Sequence, residues 1–88
     1  EAVVLRHPDV VEAGLVGAEE GSGLIKPYLF VVLRPDAGNV ARLTAELTDR
    51  LAREVPTYAR PREVRVVPEL PRTTTGKLQR HRLRDMLT

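Results

Sequence analysis

The chain has 88 residues, of which 42% are hydrophobic and 30% are charged, with a formal net charge of +2 and no cysteine. This composition is typical of one small globular domain that buries its own core. It excludes a disulfide framework, a thiol nucleophile and a thiolate metal site. No apolar run approaches the length that a transmembrane helix requires, and the weak charge does not call for nucleic acid. We therefore expect a cytoplasmic domain over residues 1–88, with neither a membrane nor a nucleic acid as partner.

The first part of the chain predicts a helical turn followed by two strands. Residues 1–6 are expected to end a helix before Pro8, because proline disfavours the helical conformation in the residue that precedes it. The alternation in Val10–Glu19 predicts a strand, and a loop over residues 20–23 leads to a second strand over residues 24–33. The apolar end of the second strand predicts a central position in a sheet, covered on both faces. The residues expected on one face of the first strand are Val11, Ala13 and Leu15.

The middle of the chain predicts one amphipathic helix, a connector and a third strand. Asn39 is a candidate N-cap, and the apolar residues of 40–55 fall on one helical stripe. Residues 56–61 lie between two prolines and are predicted to be extended, and residues 62–67 alternate Val64 and Val66 with charges. The stripe consists of Val40, Leu43, Leu47, Leu51 and Val55.

The last part of the chain predicts a β-hairpin over residues 71–80 and a short helix over residues 81–87. Leu70 and Leu78 can anchor the two arms of the hairpin. The predicted class is therefore α+β: a small three-stranded sheet with flanking helices and a C-terminal β-hairpin that carries Lys77.

The hairpin is also the candidate site. Thr73, Thr74, Thr75 and Gly76 form a polar loop in which the glycine can take a positive φ. Lys77 follows at once with three N–H donors and no acceptor. Hydroxyls, backbone N–H groups and an ammonium that point the same way suit a carboxylate or a phosphate. The alternative is a surface turn with a solvated lysine, but the chain has fourteen Lys and Arg residues and only two of them are lysines.

Other residue combinations carry less chemistry. Ser22 is the only serine and has no suitably spaced histidine, and His7 and His81 stand far apart, so we expect structural or surface roles for both histidines and no metal site. The basic residues near the C-terminus can be a solvated face, a phosphate-binding face or a nucleic-acid surface. These residues are Arg72, Lys77, Arg80, Arg82 and Arg84.

Tyr58 and Arg60 form a second candidate contact. An aromatic ring and a guanidinium on a connector flanked by prolines can hold an adenine and its phosphate. The equally simple alternative is a tyrosine that covers the edge of the core.

Four motifs in order along the chain resemble the adenylate-forming superfamily, which comprises acyl-CoA and aryl-CoA synthetases, nonribosomal-peptide adenylation domains and luciferases. The last motif resembles the C-terminal signature of that superfamily, and its neighbourhood is most similar to the benzoate-CoA ligase branch. The motifs are His7-Pro8-x-Val10-x-Glu12-Ala13 with Val16-Gly17, Pro27-x-x-Phe30-Val31-Val32-Leu33, Tyr58-x-Arg60-Pro61, and Pro71-Arg72-Thr73-x-x-Gly76-Lys77-x-x-Arg80.

The resemblance implies a mobile C-terminal lid of a larger two-domain acid–CoA ligase, whose N-terminal domain and hinge would precede Glu1. That domain would bind most of the ATP, Mg and the carboxylic acid, and these 88 residues alone would be inactive. By resemblance, Lys77 is the adenylation lysine on the loop Thr73–Thr74–Thr75–Gly76, and Tyr58 and Arg60 meet the nucleotide of coenzyme A. A lysine acetyltransferase and a deacetylase are further expected partners at Lys77.

Three alternatives stay open at this stage. The lid could serve a carrier-protein thiol instead of coenzyme A. The chain could also be a free-standing module that binds phosphate or nucleic acid, or a purely structural interaction domain.

Overall fold

The computed structural model describes residues 2–19 and 23–87 of the chain. Most of the predicted loop over residues 20–23, including Ser22, lies outside the described residues. Helices and strands follow in the order α1 (Ala2–Leu5), β1 (Val10–Glu19), β2 (Ile25–Leu33), α2 (Val40–Glu54), a 3₁₀ turn (Thr57–Ala59), β3 (Val64–Val66) and α3 (Arg80–Asp85). The α+β class with a three-stranded sheet is as predicted.

The sheet has the order β1-β2-β3, so β2 is central as expected. β1 and β2 pair antiparallel, and β3 lies parallel to β2. Hydrogen bonds from the Arg62 N–H to the Pro27 oxygen and from the Val67 N–H to the Val31 oxygen continue this pairing beyond β3. The segment predicted as the third strand, residues 62–67, therefore lies beside β2 in the sheet, with β3 at its centre.

Alternate residues of β2 contribute their side chains to two hydrophobic cores, one on each face of the sheet. Leu29 and Val31 belong to the first core, which α1 and α2 cover and to which Leu47 contributes. Phe30 and Val32 belong to the second core, with the buried Leu70 and Leu83. Both faces are covered, which explains the nearly continuous apolar sequence of this strand.

The helix α2 agrees with its predicted stripe except at its first residue. The Asn39 side chain accepts a hydrogen bond from the Arg42 N–H at 3.0 Å and caps the helix as predicted. Leu43, Leu47 and Leu51 are buried. Val40 is 49% exposed, because the core under α2 is centred two helical turns further along the chain.

His7 has the structural role expected of it. It is buried, and its Nδ1 accepts a hydrogen bond from the Asp9 N–H at 3.1 Å. Nε2 therefore carries the proton and donates to Glu46 Oε2 at 3.0 Å. This hydrogen bond, together with the charge of Arg42, lowers the pKa of Glu46.

Two predictions of local structure are wrong. An irregularity of the β1–β2 pairing between Val10 and Glu12 shifts the alternation, so Val10 is buried whereas Val11 is 54% exposed. The connector is not extended throughout. It contains the 3₁₀ turn Thr57–Ala59, because only the residues directly before its two prolines are restricted to extended conformations.

Across the described part of the chain, no helix has the length and apolar character needed to cross a membrane. Within the same ranges, no group of three or more His, Asp or Glu side chains could hold a metal ion.

Candidate active-site loop and candidate coenzyme A contact

The predicted hairpin is present, and its hydrogen bonds identify its type. The Gly76 N–H donates to the Thr73 oxygen at 2.9 Å, and the Thr73 N–H donates to the Lys77 oxygen at 2.9 Å. Gly76 has a φ of +90°. This is the pattern of a three-residue hairpin loop whose last residue is left-handed, a position that favours glycine. The ladder below the loop is short: one bridge joins Arg72 and Leu78.

The threonines stabilise the loop from within. The Thr73 hydroxyl accepts a hydrogen bond from the Lys77 N–H at 3.1 Å and lies 3.0 Å from the Thr75 hydroxyl. Thr74 and Thr75 are exposed. The sequence prediction offered all three hydroxyls to a ligand, whereas in this structure one of them organises the loop itself.

Lys77 lies directly after the turn and is exposed. In the part of the chain that the structure describes, its ammonium makes no hydrogen bond and no ion pair. The loop backbone is fixed by the hydrogen bonds above, so a flexible cation stands on a defined support. Such a group can approach an anion brought to it by another domain or by a substrate.

The base of the loop packs into the second core. Leu70 is buried, and Leu78 is half-buried against the same cluster. A Cβ at Gly14 of β1 would lie 3.0 Å from Leu78 Cδ2, so this glycine leaves the space that Leu78 occupies. The prediction that Leu70 and Leu78 anchor the hairpin is confirmed.

Three arginines of the basic C-terminal cluster are held by the protein itself. Arg72 binds Glu12 of β1. Arg80 Nε donates to the Leu15 oxygen at 3.0 Å, and Arg84 Nε donates to the Gly17 oxygen at 2.7 Å. The last two side chains therefore tie the C-terminal segment to backbone carbonyl groups of β1. The sequence predicted no internal hydrogen bonds for these arginines: Arg72 and Arg80 stand in the last of the quoted motifs, whereas Arg84 stands in none of them.

The second candidate contact lies at the C-terminal end of α2. Arg60 Nε donates to the Val55 oxygen at 2.9 Å, and Nη2 donates to the Ala52 oxygen at 2.8 Å. Arg60 thus satisfies carbonyls that the helix end leaves open. Tyr58 is 89% exposed, which rules out the alternative that it covers the core edge.

The structure does not bring the two candidate contacts together on one face. The Lys77 loop is anchored to the second core through Leu70 and Leu78. Arg60 is attached to α2, which covers the first core on the other face of the sheet.

The sequence model of the AMP-binding enzyme C-terminal domain matches residues 1–77. The chain belongs to this family. It is 39% identical over 85 residues to the benzoate–CoA ligase of Thauera aromatica, covering 97% of this chain and 16% of that protein. It is also 39% identical over 87 residues to the acetyl-coenzyme A synthetase of Mycolicibacterium smegmatis, covering 98% of this chain and 9% of that protein.

A solved structure supports the same family assignment. The fold matches the crystal structure of the anthranilate CoA ligase AuaEII in complex with anthranoyl-AMP, with a TM-score of 0.86 and 38% identity over 98% of this chain and 17% of that one. The chain therefore spans about a sixth or less of the proteins it matches. The chain is equally similar to a benzoate–CoA ligase and to an acetyl-coenzyme A synthetase. These comparisons therefore assign the family but do not identify a carboxylic acid substrate.

Proposed function

We propose that the chain is the mobile C-terminal lid of an AMP-forming acid–CoA ligase and that Lys77 is its adenylation lysine. The observation that carries the proposal is the exposed Lys77 ammonium, which has no partner among residues 2–19 and 23–87 and is held on a closed hairpin. Membership of the AMP-binding enzyme C-terminal domain family supports the reaction class.

The reaction explains why a lysine is needed at this position. In the first step, a carboxylate oxygen attacks the α-phosphorus of ATP, and the bond to the leaving pyrophosphate breaks. Anions are brought together, and a mobile ammonium can offset the negative charge that develops. At about 4 Å and an effective dielectric constant near 20, one such pair interacts by roughly 4 kcal/mol before desolvation.

The Mg ion that accompanies ATP would be bound outside this chain. The described residues contain no cluster of three or more carboxylate or histidine ligands. By the family resemblance, a large N-terminal domain would hold the metal, most of the nucleotide and the acid. Lys77 would supply charge from the opposite side.

The second step would use the other face of the lid. The thiol sulfur of coenzyme A attacks the acyl carbonyl and gives up its proton to solvent, a C–S bond forms, and AMP leaves with the C–O bond electrons. Tyr58 offers an exposed ring for the adenine. The two hydrogen bonds of Arg60, to Ala52 of α2 and to Val55 directly after it, occupy two of its five N–H groups, so others stay available to a phosphate. The opposite placement of Lys77 and Arg60 supports a lid that turns between the two steps.

Lys77 would also be the point of control. Its exposure leaves room for an acetyltransferase, and acetylation would remove the positive charge that adenylation needs. A deacetylase would restore it. Lys26 is exposed as well but lies in β2, so it provides a matched comparison.

The proposal is tested by ATP–pyrophosphate exchange in the whole protein, with a panel of aryl and acyl acids that includes benzoate and acetate. Lys77→Ala should lower exchange by roughly 10²–10³, as expected when one preorganised charge-stabilising donor is removed. Lys26→Ala should leave it unchanged. Exchange that survives Lys77→Ala, or that no acid of the panel supports in the unmodified protein, would contradict the proposal.

A further inference from the structure

One guanidinium joins strand β1 to the loop that carries Lys77. Arg72 Nε and Nη2 donate to Glu12 Oε1 at 3.0 and 2.7 Å. Its Nη1 donates to the Gly76 oxygen at 2.9 Å. The guanidinium is planar and rigid, so its three contacts fix the Gly76 carbonyl relative to β1. The next residue along the chain is Lys77.

The contacts on the other side of Lys77 reach the same stretch of β1. The Leu78 side chain occupies the space above Gly14. The Arg80 guanidinium bonds the Leu15 oxygen. Three residues of one stretch of β1, Glu12, Gly14 and Leu15, therefore contact the chain just before and just after the lysine.

We propose that Glu12 is a positioning residue for Lys77 and that it acts through Arg72. This inference rests on the proposed adenylation role of Lys77. The hairpin has only one bridge below its turn, so the loop needs external support to keep a fixed direction. A displacement of about 1 Å at a reacting group can cost on the order of 10²-fold in rate. Glu12 itself would touch neither ATP nor the acid.

Because the ion pair is partly exposed, a positioning role of Glu12 can be distinguished from a role in the stability of the fold. The side chains of Arg72 and Glu12 are 40% and 35% exposed, and exposed ion pairs add little to the stability of a fold. Loss of Glu12 should therefore leave the melting temperature within about 4 °C. A residue that only stabilised the domain would lower the melting temperature and both half-reactions together.

The chain contains a matched control pair. Arg65 Nε donates to Glu63 Oε1 at 3.0 Å, with exposures of 40% and 46%, and Arg65 Nη1 donates to the Met86 oxygen at 3.1 Å. This pair has the same chemistry and nearly the same exposure as Arg72 and Glu12. It does not contact the hairpin.

The experiment compares Glu12→Ala, Glu12→Gln and Arg72→Lys with Glu63→Ala in the whole protein. The measurements are kcat and KM for ATP–pyrophosphate exchange with the best acid of the panel, thioester formation from the matching pre-made acyl-adenylate, and melting temperature. Glu12→Ala should lower the exchange kcat about tenfold, which corresponds to about 1.4 kcal/mol, with KM values and thioester formation within twofold.

The two conservative variants sharpen the expectation. Glu12→Gln keeps an oxygen that can accept from the guanidinium, so its kcat should return to within about threefold of the unmodified protein. Arg72→Lys has one nitrogen and cannot reach Glu12 and the Gly76 carbonyl together, so it should resemble Glu12→Ala. Glu63→Ala should change no parameter by more than twofold.

The inference is overturned if Glu12→Ala keeps its exchange kcat, if it loses both half-reactions equally, or if Glu63→Ala loses exchange to the same extent. Lys77→Ala separates this failure from failure of the proposed function. If Lys77→Ala abolishes exchange while Glu12→Ala does not, only the positioning role of Glu12 is wrong. If Lys77→Ala has no effect, the proposed function is wrong as well.

Discussion

Gly14 offers a direct test of how the hairpin is seated on β1. It does not adopt a positive φ, so an alanine there would gain roughly 0.4–1 kcal/mol from a less flexible unfolded chain. The alanine Cβ would lie 3.0 Å from Leu78 Cδ2 and at ordinary contact distances of 3.5 Å from Leu83 and 3.7 Å from Leu70. Only the half-buried Leu78 must move. The entropy gain and the cost of displacing Leu78 nearly cancel. We therefore expect the free energy of unfolding of Gly14→Ala to lie within about 1 kcal/mol of that of the original chain.

Valine at the same position should destabilise the fold, because the packing cost then exceeds the entropy gain. Its two γ-carbons must enter the space among the three leucines, and the buried Leu70 and Leu83 cannot withdraw. Overpacking of this kind costs about 1–3 kcal/mol. After the entropy gain, Gly14→Val should lose about 1–2 kcal/mol of unfolding free energy, or roughly 5–15 °C in melting temperature.

Urea unfolding of the 88-residue chain measures this difference, with Gly17→Val as the control. A Cβ at Gly17 would meet only Ile25 Cγ2, at 2.9 Å. The Ile25 side chain is 73% exposed and can rotate away. Gly17→Val should therefore stay within about 1 kcal/mol of the original chain. Equal losses in the two variants, or no loss in Gly14→Val, would refute the packing described for the hairpin.

Three further predictions concern the other parts of the account. Arg60→Ala should raise the KM for coenzyme A about tenfold or more, as for a lost charge-assisted hydrogen bond, with ATP–pyrophosphate exchange nearly intact. An unchanged KM would return Arg60 to its helix-capping role or indicate a carrier-protein acceptor. The lowered pKa of Glu46 means that it stabilises the fold above the ordinary Glu value of about 4.3 and loses this contribution as pH falls through the lowered value. The free energy of unfolding of Glu46→Gln should therefore fall less steeply with decreasing pH below about 4.3 than that of the original chain. An identical pH dependence would contradict the His7 contact. Acetylation mapped by mass spectrometry should abolish adenylation at Lys77 and a deacetylase should restore it, whereas acetylation at Lys26 should have no effect. Full adenylation with Lys77 acetylated would exclude this control.

The elements that depend on local pattern were predictable from the sequence. The bounds of β1 agree with the prediction, and Asn39 caps α2 because a side-chain acceptor before an amphipathic stripe is a local signal. The hairpin was predictable because Gly76 follows three threonines that are compatible with a turn. In each case the deciding residues are neighbours along the chain.

The interactions that depend on distant residues were not predictable. The contact between Glu12 and Arg72 joins residues sixty positions apart, and no spacing rule pairs them. Arg60 is five residues from Val55, yet its capping role requires the 3₁₀ turn that folds the connector back. Val11 was assigned to the wrong face because a local irregularity in strand pairing leaves no mark in composition.

The two half-reactions of Lys77→Ala, measured separately in the whole protein, test the central claim most directly. Adenylate formation is followed by pyrophosphate release in single turnover, and thioester formation is followed from pre-made acyl-adenylate and coenzyme A. We predict a loss of roughly 10²–10³ in the first step and a change of only a few fold in the second, because Arg60 and Lys77 lie on different faces of the sheet. Equal losses in both steps would contradict it.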